Sequence, residues 1–125
     1  MNSLEKELVN ALRSGRYAQA RGSLRTTDGY CCLGVACDVW GKGRWSALRV
    51  YEDCHLDRAE VDLPEAVRVD YRWSSRIGLL DITRAPQDPS ATDPHITLAE
   101  LNDSGFSFSQ IADIIEAGLV VHRGE

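Results

Sequence analysis

Residues 32–40 read CLGVACDVW, and this run constrains the fold more than any other. Leu33, Ala36, Cys37 and Trp40 fall at i, i+3, i+4 and i+7, the spacing of one helix face. Cys32, Val35, Ala36 and Val39 make a second stripe beside the first. A helix apolar on so many sides has to be wrapped by the rest of the chain, so it is central. Only Gly34 and Asp38 interrupt it, four apart and hence on one face. A glycine there lets another backbone or a ligand approach closely. Gly41 and Gly43 supply the stop.

Around this helix the pattern predicts others. Residues 2–14 carry Leu4, Leu8, Ala11 and Leu12 on one stripe, with Asn2 and Glu5 as a capping box and Gly15 beyond the end. Ser23–Arg25 and Tyr30–Cys31 read as two short strands joined by a turn at Thr27-Asp28-Gly29. WSALRVYEDC reads as a strand, Leu63-Pro64 as a helix start, and Ile77–Ile82 as another short strand. Residues 84–95 hold three prolines and read as an exposed loop. Thr97/Glu100 and Ser107/Gln110 are capping boxes with staples Ile96/Leu101 and Phe106/Ile111, which predicts a hairpin of helices over 97–104 and 107–117. The expectation is one compact α+β domain over residues 1–125, helix-rich, with a small antiparallel sheet and a C-terminal helical hairpin.

Charge limits the partners. The chain has 125 residues and a net charge of −5. Residues 1–50 hold eight Lys and Arg against four acids, a net +4, which leaves −9 for residues 51–125. An acidic chain repels long polyanions, because binding DNA or RNA needs several phosphates neutralised together. LNDSGFSFSQIADIIEAG looks like two helices of a helix-turn-helix, yet only GLVVHRGE follows where a recognition helix belongs. Neither a nucleic-acid polymer nor a membrane is expected: no apolar run spans a bilayer, and the glutamate-bearing start is unlike a signal peptide. The expected address is the cytoplasm, where cysteines stay reduced.

The cysteines admit three chemistries. Cys32 and Cys37 with Cys54-His55 have the look of zinc ligands, but positions five apart on a helix diverge by about 140°; no metal and no cofactor is expected. Cys31 or Cys32 lies where a strand enters a helix, a junction that lowers a thiol pKa. With a histidine such as His55, it would make a cysteine-dependent hydrolase; His95 and His122 sit in a loop and a tail. Packing is the third reading, and the apolar helix favours it.

The arginine-rich stretch 12–25 is the better candidate. Its glycines let backbone approach a ligand, and Arg13, Arg16, Arg21 and Arg25 suit bidentate contact with phosphate. Tyr17, Gln19 and Tyr30 would read the rest of the ligand, with Asn102 and Asp103 on the same site. The competing reading pairs these arginines with the acids downstream.

ALRSGRYAQARGSLR, DGYCCLGVACD and LNDSGFSFSQIADIIE, in this order, resemble a family of small uncharacterised proteins of tailed bacteriophages and prophages. The stretch from Arg68 to Ile96 departs from that pattern. The resemblance supplies no reaction; it implies work in the cytoplasm of an infected bacterium. The expectation is a non-enzymatic counter-defence protein that sequesters a small phosphorylated, nucleotide-derived immune signal, and a homo-oligomer if the pocket lies between subunits. The alternatives are the hydrolase and an inhibitor that binds a host defence protein.

Overall fold

The computed structural model describes residues 1–55, 57–81 and 97–123. The predicted N-terminal helix is α1, Ser3–Arg13, and its capping box is formed: Asn2 Oδ1 accepts from the Glu5 amide at 2.9 Å, and the Asn2 amide donates to Glu5 Oε1 at 3.1 Å. Its buried face is Leu8, Val9, Ala11 and Leu12. Glu5 is itself 1% exposed. It is satisfied there by the Trp73 indole N–H at 3.1 Å and by His122 Nε2 at 2.9 Å, which ties the C-terminal segment to α1.

The central helix is α2, Cys32–Trp40, with Cys32 to Cys37 all buried. It packs against α1 and against two of the three later helices. Gly41, at φ 71°, ends it in the left-handed conformation. Gly34 makes the close approach that its position implied, and the neighbour is backbone: a Cβ there would overlap the Leu24 carbonyl. The segment leading into α2 forms single bridges, Gln19 to Tyr30 and Arg25 to Tyr30, where two strands were expected. The Ala20 amide donates to Tyr30 O and the Tyr30 amide to Ala18 O, so residue 30 holds two stretches of chain at once.

The expected strand over 45–54 is two strands. β1, Arg44–Trp45, and β2, Tyr51–Glu52, pair antiparallel, and β3, Arg58–Ala59, adds to β2 in a meander. The chain reverses at Ser46, whose Oγ accepts from the amides of Leu48 and Val50, both at 3.2 Å. Arg49 sits at φ 62° inside this turn. In the register, Arg44, Glu52 and Arg58 share one face, while Trp45, Tyr51 and Ala59 share the other.

Pro64 caps α3, Glu65–Tyr71, one position before the expected place. Residues 77–81 form isolated bridges, Leu79 to Thr97 and Leu80 to Val120, where a strand was expected; Ile82 lies outside the described residues. α4, Leu98–Asp103, and α5, Phe108–Glu116, make the C-terminal hairpin. The Ser107/Gln110 capping box is complete, and Thr97 caps α4 through the Glu100 amide. Ile96, half of one staple, and the loop 84–95 with His95 lie outside the described residues. The whole is a compact α+β domain built on one buried core, and α5 closes it against α1. No helix among the described residues is long and apolar enough to cross a membrane.

Candidate functional site

The segment from Gln19 to Arg25 has few apolar side chains to anchor it, so polar groups fix it. Asn102, expected at the ligand site, is instead 0% exposed. Its Oδ1 accepts from the Cys32 amide at 3.1 Å and from Gln19 Nε2 at 3.0 Å, and its Nδ2 donates to Ala20 O at 2.8 Å. Every strong valence of the amide is spent on the chain itself. Gln19 also donates to Phe106 O at 2.7 Å, and Asp103 accepts from the Gly22 amide at 3.1 Å. These three residues are scaffold: they hold the 19–22 backbone on α2 and α4, and so set where Ser23 and Arg25 stand.

A line of rings supports Arg25 from beneath. Tyr17 meets Tyr30 edge-on at 5.1 Å, Tyr30 meets Trp45 at 5.7 Å, and Trp45 meets Tyr51 at 4.8 Å. Asp38, the polar break in α2, accepts from the Tyr17 hydroxyl at 2.5 Å and from the Trp45 indole N–H at 3.2 Å. Burial, then this Asp38 bond, pushes the Tyr17 hydroxyl up to about 12. Tyr17 and Tyr30 therefore brace the site and each other. The Arg25 guanidinium lies 5.0 Å from the Tyr30 ring and 5.5 Å from the Trp45 ring, a cation–π seat that limits its rotamers.

Arg25 lines a cleft of about 320 Å³ with Ser23, Leu48, Arg49, Val50, Arg58 and Glu60. Three separate stretches converge there: the bridge segment, the turn between β1 and β2, and β3. Arg25 and Arg49 have no ion pair among the described residues. Arg58 has a loose one, 3.9 Å to Glu52, whose other oxygen is already engaged by Arg44 at 3.1 Å. Glu60, on the same wall, lies beyond 4 Å of all three arginines. Three cations left without close partners around one hollow raise its local potential and suit an anion.

The other expected arginines are not gathered with Arg25. Arg13 is committed to α5, at 2.6 Å from Asp113 and 3.0 Å from Glu116, and the Glu116 and Asp113 bonds hold its pKa above the ordinary value. This is the pairing with downstream acids. Arg16 lies over Tyr17 and donates to Ser14 Oγ at 3.3 Å; Arg21 reaches toward Gly105. Sequence reasoning did not connect Arg49, Arg58 and Glu60 with Arg25, because only strand pairing, an unusual turn and the Leu24–Glu60 backbone bond bring them there. Ser23 lies within the candidate stretch 12–25 but was not singled out.

Cys31, Cys32 and Cys37 are buried as packing, while Cys54 is exposed. Cys31 Sγ caps α2 by accepting from the Gly34 amide at 3.4 Å. Burial nonetheless pushes its pKa up to about 11 from an ordinary 9.0, outweighing the Gly34 and Leu33 amides. Burial likewise raises Cys32 and Cys37 well above that value. His55, the proposed base, lines a different and larger cleft of about 530 Å³ with Cys54, Trp40 and Asp70. The acids there are already used: Asp70 by the Trp40 indole N–H and then Lys42, Asp53 by the His55 and Asp57 amides, Glu65 by Arg68. No three His, Cys, Asp or Glu side chains gather for a metal among the described residues.

Fold and site together define a small α+β domain with a cationic cleft supported by aromatic rings. The chain belongs to the family described as Domain of unknown function (DUF8296), which it matches over residues 1–119. No curated protein and no solved structure matches it.

Proposed function

We propose that the protein is a non-enzymatic binder of a small phosphorylated ligand, held in the cleft of Arg25, Arg49 and Arg58. One observation carries this reading: Arg25 and Arg49 line one hollow of about 320 Å³ and neither has an ion pair among the described residues. Arginines left unpaired near so many acids gain most from a ligand that supplies the missing charge. The hollow lies at the lower end of ligand-pocket sizes, about 300–1,000 Å³, which favours a compact anion over a polymer. The buried, neutral thiols of Cys31 and Cys32, the candidates for a nucleophile, favour retention over cleavage. The resemblance to phage proteins supplies the setting we propose, sequestration of a nucleotide-derived defence signal in the cytoplasm of an infected bacterium.

Isothermal titration with inorganic pyrophosphate tests the site. Binding to the wild type should weaken about tenfold or more in Arg25→Gln, the loss expected for one charge-assisted contact pair. It should also weaken as salt rises. A flat titration of the wild type, or equal affinity in the variant, overturns the reading.

A further inference from the structure

The same cleft holds a carboxylate that an anion site does not need. Glu60 lines the hollow with three arginines, yet none comes within ion-pair distance, 4 Å, of it. Opposite charges that line one small cleft without pairing leave it with both cationic donors and a free carboxylate acceptor. The Leu24 amide donates to the Glu60 backbone oxygen at 2.7 Å, which fixes the residue 60 backbone alongside the Ser23–Arg25 stretch. Ser23 adds a hydroxyl to the same wall, and Leu48 and Val50 add apolar surface.

From this arrangement we infer that the cleft selects a phosphate ester of a sugar or other polyol by its phosphate and its hydroxyls, and is blind to any base. The inference rests on the anion-binding reading above. The arginines take the phosphate; Glu60 and Ser23 take vicinal hydroxyls, which donate well to a carboxylate. An amino group would suit Glu60 too, but it would bring a positive charge into a cleft whose lining already carries three arginines against one glutamate. Bases are read by stacking on an aromatic or guanidinium plane and by contacts to their edges. No aromatic ring lines the cleft, and in this reading its arginines are taken by the phosphate and Glu60 and Ser23 by the hydroxyls. The rings nearby are spent: Trp45 and Tyr30 carry the Arg25 guanidinium. A nucleotide would therefore be held by its ribose-phosphate end, with the base outside.

The test is calorimetry of the full chain with pyrophosphate, ribose 5-phosphate, AMP, UMP and O-phosphoethanolamine, for the wild type and Glu60→Ala. Glu60 is exposed, so its truncation should leave folding intact. Ribose 5-phosphate, AMP and UMP should bind within about threefold of one another, because no contact discriminates the base. O-phosphoethanolamine should bind more weakly. Glu60→Ala should weaken the three sugar phosphates about tenfold while leaving pyrophosphate unchanged or tighter, since a buried or bridging hydroxyl contact is lost and a repelling charge is removed. AMP and UMP differing tenfold or more would overturn the inference, as would Glu60→Ala binding ribose 5-phosphate like the wild type, or O-phosphoethanolamine binding tightest. In each of those cases pyrophosphate still binds and the anion site stands; if pyrophosphate fails as well, the site itself falls.

Discussion

Asn102 and Arg25 act on the same short segment, residues 19–25, and the fold treats them in opposite ways. Around Asn102 every polar group has a partner inside the chain: the Cys32 amide, the Ala20 carbonyl and the Gln19 amide are all within 3.1 Å of it. Around Arg25 the charges are left largely unpaired. Arg25 and Arg49 have no ion pair among the described residues, Arg58 has only the 3.9 Å contact to Glu52, and Arg49 and Arg58 are solvent-exposed. A buried polar group left unpaired costs free energy, so a folded chain satisfies it or excludes it. An exposed charge costs little when unpaired, so it is free to be kept for a ligand. The difference teaches which polar residues to read as structure and which as site: satisfaction, rather than polarity, separates them.

The comparison breaks first at Asn102. Asn102→Ala orphans the buried Cys32 amide and the Ala20 carbonyl, each costing about 1–3 kcal/mol, so stability should fall by about 4 kcal/mol in urea denaturation. A loss below about 1 kcal/mol would mean that the hub does not hold the segment. Because the hub sets Arg25, anion affinity should fall with it, while Arg25→Gln should move stability by about 1 kcal/mol or less.

The second test concerns the thiols beside the hub. Cys31 titrates near 11 in the folded chain against an ordinary 9.0, so folding favours its protonated form. The unfolded chain releases this proton first, and stability falls as pH rises between those two values. That contribution is complete below pH 9 and lost by about pH 11, a change of about 3 kcal/mol for Cys31, with Cys32 and Cys37 acting in the same direction. Urea midpoints at pH 8, 9.5 and 11, compared between the wild type and Cys31→Ala, separate it from Tyr17, Tyr51 and Tyr71, whose pKa values burial also raises. A flat profile would place the thiols in water and reopen the hydrolase reading.

The parts legible in sequence were those written locally. α1, α2 and α5 follow from apolar period and caps, signals contained within one or two turns. The reversal at Ser46 was missed because residues 46–50 contain no Gly, Asn or Pro, and the left-handed position is taken by Arg49. Arg25 was named from its arginine-rich context; Arg49, Arg58 and Glu60 come beside it only through strand pairing and the Leu24–Glu60 hydrogen bond. Asn102 was expected at the ligand site, and the structure buries it as a fully bonded hub. It looked like a polar ligand contact at a helix end, and its partner Ala20 is 82 residues away, a separation that no local pattern encodes.

The smallest expected effect sharpens the contrast most. Arg49 holds φ 62°, which costs an L-residue about 1–2 kcal/mol and a glycine nothing. Glycine loses more chain entropy on folding, about 0.5–1 kcal/mol, so Arg49→Gly should stabilise the protein by only about 0.5 kcal/mol. If Arg49 is there for a ligand, the same variant should bind pyrophosphate about tenfold more weakly. A residue that strains its own turn, pairs with nothing and gains the fold nothing is kept for what it contacts outside the fold. Stability and affinity moving in opposite directions would support that account. If both stayed level, Arg49 would be an ordinary turn residue and the cleft would be left with two arginines.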